Sequence, residues 1–589
     1  MARSPLFRIV RRLMRRAHAA NVLGRNPEEL LAAARGATGP SRRDVFLGTL
    51  GAAALLPFAA ACGDNIHPAG EGPGVLVVGG GLAGLTAAHF LKQAGVRAEI
   101  YEASMRIGGR MFTDRDTLAN GQLVELGGEL VDSDHVVIQG LMHSHGLELD
   151  DLIEATAGLK QDTFFFSSDG VGAASVEISE ATIVTAFMPV AVKMQAAVMR
   201  AEGMDAASVA EFDRIDNMSI PEWLQAPDPM GASLAPSTLI RRILELAYLE
   251  EFGLEVAEQS AWNLITLIDF ETPDPFRVFG DSDERYHTHA GNDALPKRMA
   301  VQLEDRIHFD HALTKVVKTA GGYDLTFATA GGPHVVSAAH VIYALPFTKL
   351  REVDVAEAEI SAEKRQIINE LGYGTNAKLM LQFSTRHWEA APISSGGGVI
   401  TDVGDMPRDG SALGSGLQTV WATSRGQDEA EGILTNFVGG DRGVMIGEGT
   451  PESQAQIVLP WIDKVFPGTA AKYVPNSAIR MHWPSYPFTK GSYASYKKGQ
   501  WAFFGKEGVR EGNQHFCGEH CSEDFQGYME GAAETGAMVA GEVLDDLELD
   551  YPPVLAAILT EATAARPRAS YHGTYDKRMR ISQIRRRRR

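Results

Sequence analysis

The residues best suited to chemistry begin at Gly79-Gly80-Gly81-Leu82-Ala83-Gly84, directly after the apolar run Val75-Leu76-Val77-Val78. Gly79 allows a tight turn, Gly81 lets the backbone approach a pyrophosphate, and Gly84 lets a helix lie close on a strand. Leu85 to Ala94 then continues as a helix whose N-terminus offers unpaired N–H groups to the phosphates. Glu102 lies 18 residues past Gly84 at the end of a second apolar strand, Ala98–Tyr101, where an acid accepts hydrogen bonds from ribose hydroxyls. Far downstream, Lys378 sits in the alternating run Asn376–Phe383, so it either snorkels to the surface or is buried against a compensating group. An aromatic-rich stretch holds Trp483, Tyr486, Tyr493 and Tyr496, and Tyr528 follows it. Two such rings can hold an organic molecule and keep water away from it. The chain has no CxxC or HExxH, and His135, His143 and His145 lack metal-site spacing, so no metal is expected.

Two further segments narrow the cofactor. Ala103-Ser104-Met105-Arg106-Ile107-Gly108-Gly109-Arg110 follows Glu102, with adjacent glycines flanked by arginines that can wrap a diphosphate. Phe516-Cys517-Gly518-Glu519-His520 precedes Gly527-Tyr528-Met529-Glu530-Gly531-Ala532 near the end. With these motifs the chain resembles the flavin-containing amine oxidases, a group that includes monoamine, polyamine and L-amino acid oxidases. The resemblance spans about residues 74–545 and is weakest in the middle.

The resemblance implies FAD held by Gly79, Gly81, Leu82, Ala83, Gly84, Glu102, Ala103, Gly109 and Arg110. It adds Gly127 and Gly128 beside the flavin, Glu519 near the ribityl-diphosphate, and the Met529 N–H over the pyrimidine. Ser492 stands where monoamine oxidases carry the cysteine joined to flavin, so the FAD is expected to be noncovalent. Tyr493 and Tyr528 match the two walls of an aromatic cage. Lys378 matches a lysine that reaches flavin N5 through water and promotes reaction with dioxygen. Trp483 and Tyr486 either line the same cavity or are plain core aromatics.

The implied reaction takes hydride from the carbon next to nitrogen to flavin N5 and passes the electrons to dioxygen. Hydrogen peroxide forms, and the imine hydrolyses to a carbonyl plus ammonia or an amine. L-Amino acid oxidases place an Arg after the glycine segment, but this chain continues Glu129-Leu130-Val131-Asp132. That favours a simple amine or polyamine, with Glu129 and Asp132 as candidate partners for a distal ammonium, or as surface acids. Arg241, Arg242 and Arg277 are the remaining candidates for a carboxylate clamp. The alternatives are therefore an L-amino acid oxidase, and a flavin desaturase or non-catalytic FAD-binding protein.

The elements that must position these residues define an α/β chain. A split, Rossmann-like FAD-binding domain is expected, with an interleaved α+β substrate domain of sheet and helices, monoamine oxidase-like. The FAD-binding parts are assigned to 74–150, 291–350 and 486–550, and the substrate parts to 151–290 and 351–485. Ile307–Val316 and Tyr323–Thr329 read as hairpin strands, Ala339–Pro346 as a return to the nucleotide sheet, and Ser237–Glu251 as a helix. Tyr528–Leu544 reads as a helix rich in small residues, which would let a backbone approach the flavin ring.

Charge separates the ends from the body. Residues 1–61 carry +7 and 566–589 carry +9, which leaves −36 of the formal −20 on residues 62–565. Such a body repels polyanions, so no nucleic-acid partner is expected, and it can draw in cationic amines. The three cysteines, 62, 517 and 521, provide no disulfide framework. Ser41-Arg42-Arg43-Asp44-Val45-Phe46-Leu47 before the apolar run Gly48–Ala61 resembles a twin-arginine export signal, within a leader spanning 1–61. The expected partners are then the export machinery, a small amine or amino acid, and dioxygen. Ala59-Ala60-Ala61-Cys62-Gly63 resembles a lipoprotein processing site, so Cys62 is a candidate membrane tether. Residues 62–73 form a linker and 551–589 a basic tail, disordered from Arg566. The expected location is periplasmic, free or membrane-anchored.

Overall fold

A computed structural model describes residues 74–167, 175–201, 205–227, 236–403 and 416–565. The leader with Arg42 and Arg43, the linker with Cys62, and the Arg-rich end from 566 lie outside the described residues.

Val75–Val78 is buried along its whole length and pairs in parallel with Ala98–Tyr101 on one side and His340–Tyr343 on the other. Gln514–Phe516 joins beyond His340–Tyr343, and Ile307–His308 beyond Ala98–Tyr101, giving five strands. A parallel sheet covered on both faces reads as unbroken apolar runs, which is why these strands were visible. Helices Leu82–Gln93 and Met529–Asp546 cover one face. Their close contact explains the small residues of the second helix. A Cβ on Gly536 would lie 2.4 Å from the Ala83 carbonyl oxygen, and one on Gly531 would lie 2.2 Å from that of Phe525. These glycines thus serve packing against neighbouring backbone, not an approach to a flavin ring.

Glu530 ties this helix to another. Buried, it accepts hydrogen bonds from the Val137 and Ile138 N–H groups at 2.8 Å each, at the start of helix Val136–Ser144. Burial pushes its carboxyl up to about 8 despite those two donors.

Two expectations change. Ile307–Val316 is not one hairpin arm: Ile307–His308 belongs to the nucleotide sheet. Only Ala312–Thr319 pairs with Gly322–Thr329, in a four-stranded sheet with Gly332–Ala338 and Asp354–Glu357. Residues 551–565, assigned to the basic tail, include helix Pro553–Ala565, whose Leu555 is fully buried and whose Leu559 packs at Gly541.

The other large sheet has seven strands. In order they are Ile479–His482, Ala377–Phe383, Gly432–Val438, Thr419–Ala422, Ser395–Thr401, Lys160–Ser167 and Ser175–Glu177. Ala377–Phe383 is buried on both faces, so Lys378 does not snorkel. Helix Thr238–Phe252 packs against this sheet. The Ser237 hydroxyl accepts from the Ile240 N–H at its start, and Gly253, at φ 66°, ends it in the left-handed region.

Candidate active site

One cavity of about 670 Å³ runs from the glycine turn to the face of the seven-stranded sheet. Gly79, Gly81, Leu82, Ala83, Glu102, Ala103, Gly109 and Arg110 line one end. Lys378, Trp421, Phe437, Tyr493 and Tyr528 line the other, with Gly127, Gly128, Glu129 and Met529 between. Gly84 does not line it. Its role is packing, since a Cβ there would lie 2.1 Å from the Gly79 carbonyl oxygen.

The first end fits a dinucleotide. No side chain caps the helix at Gly81, so its first N–H groups are left for a ligand. A Cβ on Gly81 would meet only Gly109 Cα, at 3.9 Å, which leaves that wall open as a phosphate cradle. Glu102 braces the turn: its Oε2 accepts from the Gly80 N–H at 2.8 Å and its Oε1 from the Ser104 N–H at 2.8 Å. Arg110 donates to Glu519 at 2.7 Å and to the Ser492 carbonyl at 2.7 Å. Glu519 also accepts from the Gly527 N–H at 2.9 Å, so this acid joins the diphosphate loop to the segment before Tyr528. The Ser492 hydroxyl donates to Asn376 Oδ1 at 2.5 Å.

At the middle, Gly127 and Gly128 are there because backbone and Met529 crowd them. A Cβ on Gly127 would lie 1.8 Å from the Arg110 carbonyl oxygen, and one on Gly128 would lie 2.7 Å from Met529 Sδ. The Gly127 carbonyl accepts from Lys378 Nζ at 2.9 Å and the Glu125 carbonyl does so at 3.1 Å. Lys378 also donates to Glu129 Oε2 at 2.7 Å, with both side chains 6% exposed. Glu129 Oε1 accepts from Trp421 Nε1 at 2.8 Å and the Thr423 hydroxyl at 3.0 Å. Burial pushes the Glu129 carboxyl up, but the charge and hydrogen bond of Lys378 and the Trp421 N–H outweigh it, and it lies below its ordinary value. Glu129 is thus occupied by Lys378 and is not a free anchor for a distal ammonium. Asp132 does not line the cavity either; its Oδ1 accepts from the Glu284 N–H at 2.9 Å.

The two cage tyrosines both line the far end. Tyr493 donates to the Glu251 carbonyl, and Tyr528 reaches Glu251 Oε1 at 3.5 Å and packs edge-on against His135. Burial first, then nearby carboxylates, pushes both phenols well above their ordinary value, so they stay protonated donors. Trp483 does both things expected of it: it lines the cavity and packs in a small core with Leu126 and Met481, donating to the Leu126 carbonyl at 3.1 Å. Tyr486 lines the cavity, packs edge-on with Trp483 and accepts from Arg106 Nε at 3.0 Å.

Sequence reading missed a group of acids. Glu250 and Glu251 occupy the last turn of helix Thr238–Phe252, where the helix dipole disfavours negative charge. Glu284 joins them, held at φ 44° in the left-handed region. Glu284 is exposed and lines the cavity. Burial, then the charges of Asp132, Asp162 and Glu251, push Glu284 up to about 8, with Arg425 offsetting them in part. Burial also carries Glu250 well above the carboxylate range, and neither of its oxygens makes a hydrogen bond of normal geometry. Two acids ending a helix were a legible oddity; nothing near Glu284 in the chain marked it. Arg241, Arg242 and Arg277 do not line the cavity, and Arg277 is paired with Asp269.

Comparison with known proteins gives the site its context. Residues 82–544 match the family described as flavin containing amine oxidoreductase. The putative L-amino-acid oxidase YobN of Bacillus subtilis is 24% identical over 476 residues, covering 80% of this chain and 94% of the relative. Putrescine oxidase in its putrescine-bound structure aligns with a TM-score of 0.64 at 20% identity, covering 80% of this chain and 99% of the other. Cyclohexylamine oxidase from Brevibacterium oxydans aligns at 0.65 and 19%, covering 81% and 100%. At those identities the likeness shows the fold: a Rossmann-like FAD-binding domain joined to a substrate domain. FAD is the cofactor, bound noncovalently, and the chain is an oxidoreductase acting on amines. The chain belongs to the flavin-containing amine oxidoreductase family.

Proposed function

We propose that the protein oxidises an amine bearing a second positive charge, a diamine or polyamine, with dioxygen as acceptor. The balanced reaction converts R–CH2–NH2, dioxygen and water to R–CHO, ammonia and hydrogen peroxide. Bound FAD supplies the two-electron acceptance and the reaction with dioxygen. The chain's own residues do the rest. Tyr493 and Tyr528 wall the cavity, orient the reacting amine and exclude water. Lys378, paired with Glu129 at the cavity wall, favours reaction with dioxygen.

The observation that carries the substrate class is the pair Glu251 and Glu284, which line the cavity with those tyrosines. An ammonium there would favour the ionised form of Glu284, which its surroundings otherwise keep protonated up to about pH 8. L-Amino acid oxidation is the second reading, favoured by relatives such as YobN. Against it stands the state of the arginines that line the cavity among the described residues: Arg110 is held by Glu519 and Arg106 by Tyr486. A peroxide assay on purified holoenzyme separates them. A four-carbon diamine should exceed butylamine in kcat/KM by about tenfold or more, the scale of one charge-assisted hydrogen bond. Preference for L-amino acids over both amines would overturn the proposal. Lack of peroxide with every substrate would move it toward a desaturase or a non-catalytic FAD protein.

We also propose that residues 1–61 direct export, on the strength of Arg42-Arg43 before Gly48–Ala61, and that Cys62 is a lipid-bearing tether.

A further inference from the structure

The far end of the FAD-binding sheet, away from the cavity, brings together three donors from three elements. His340 opens strand His340–Tyr343, His515 lies in strand Gln514–Phe516, and Asp546 ends helix Met529–Asp546. Strand pairing sets Ile342 opposite His515, so His340 and His515 point to the same face of the sheet, the face the helix covers. His340 Nδ1 lies 3.4 Å from His515 Nε2, while Asp546 Oδ2 lies 3.7 Å from the first and 3.9 Å from the second.

Those three separations fix a point about 2.1 Å from all three atoms, the bond length of zinc to imidazole nitrogen and carboxylate oxygen. We propose that His340, His515 and Asp546 form a zinc site, with water as the remaining ligand. The surroundings fit. His515 Nδ1 lies 2.7 Å from Glu542 Oε2, so the ring donates its proton there and leaves the Nε2 lone pair toward the ion. The His515 side chain is fully buried and that of His340 is 9% exposed, so both rings are fixed, whereas Asp546 is 27% exposed and opens the site to solvent. Arg510 opposes the ion in part. It grips Asp546 at 3.0 and 2.7 Å, and Oδ2 must serve both cations with its two lone pairs.

Another such group among the described residues, Asp132, Asp134 and His135, is less suited. Its His135 Nδ1 already accepts from the Asp132 N–H, and Asp132 holds the Glu284 turn. None of His340, His515 and Asp546 lines the cavity, so the ion would clamp the last strand to the end of the last long helix and take no part in amine turnover.

The experiment titrates zinc ion alone into chelator-dialysed holoenzyme, followed by calorimetry and by the thermal midpoint. One zinc per chain is expected to bind and raise that midpoint. His340→Asn and Asp546→Asn should each abolish both effects with the flavin absorbance intact, and Glu542→Gln should weaken binding by about 10–100-fold. Asp546 is partly exposed, so its variant serves if His340→Asn does not fold. Wild-type protein without a zinc-dependent change, or variants that bind zinc as wild type does, would overturn the proposal and leave a hydrogen-bonded polar cluster.

Discussion

Lys378 and Glu129 depend on each other because both are removed from water. A buried pair adds little net stability compared with an apolar pair, but breaking it strands a charge. Lys378→Met should therefore cost about 3–5 kcal/mol in urea unfolding, while Lys378→Met with Glu129→Gln should recover much of it. Reoxidation by dioxygen, measured by stopped flow, should slow about 10²-fold in both variants, which separates the lysine's chemistry from its effect on folding. Equal stability losses in the single and double variants would contradict the pairing. Glu284 carries the pH dependence. Its native carboxyl keeps its proton to about pH 8, whereas an unfolded one releases it near 4.5. Raising the pH through that window therefore destabilises the fold, and Glu284→Gln should remove that loss. A bound ammonium favours the ionised form, so the KM ratio of diamine to monoamine should fall as pH rises from 6 to 8, by up to about tenfold per unit. It should level off above 8 and stay flat in Glu284→Gln.

Among the elements, two glycines of one turn should fail in different ways. Gly84→Ala forces a Cβ to 2.1 Å from the Gly79 carbonyl, so strand and helix must separate, and loss of soluble protein is expected. Gly81→Ala meets nothing closer than 3.9 Å, so the fold should persist, but the methyl fills the phosphate cradle. That variant should purify folded and colourless, as judged by circular dichroism and absorbance; a yellow Gly81→Ala would refute the cradle. The same turn shows what was legible beforehand. Local pattern carried strand Val75–Val78, the helix after it and strand Ala98–Tyr101, because buried parallel strands and glycine turns are written in contiguous residues. It failed at Ile307–His308, where two residues pair across the nucleotide sheet while the next strand pairs elsewhere, a choice made by distant partners. It also misread Glu129, since neither Lys378 nor Trp421 is near it in the chain. The meeting of Glu251 with Glu284, and that of His340 with His515, were invisible for the same reason.

Taken whole, the molecule is acidic between two basic ends. A folded-export route suits a protein that captures its cofactor before leaving the cytoplasm. Changing Arg42 and Arg43 both to Lys should shift activity from the periplasmic or membrane fraction to the cytoplasmic one, with flavin content unchanged; unaltered fractionation would remove the export proposal. The five-stranded sheet bears on this timing. Strands Val75–Val78 and Ala98–Tyr101 are made early, but their neighbours Ile307–His308, His340–Tyr343 and Gln514–Phe516 follow over the next four hundred or so residues. A nascent chain on the ribosome thus displays a glycine turn with no Glu519 to brace Arg110 until about four hundred further residues have been made. At about 5–20 residues per second that is a wait of roughly 20–80 s, during which the sheet edges stay unpaired. Binding of the vitamin-derived ligand should therefore wait for the segment that carries Glu519, since a chain interrupted before it lacks the brace on Arg110.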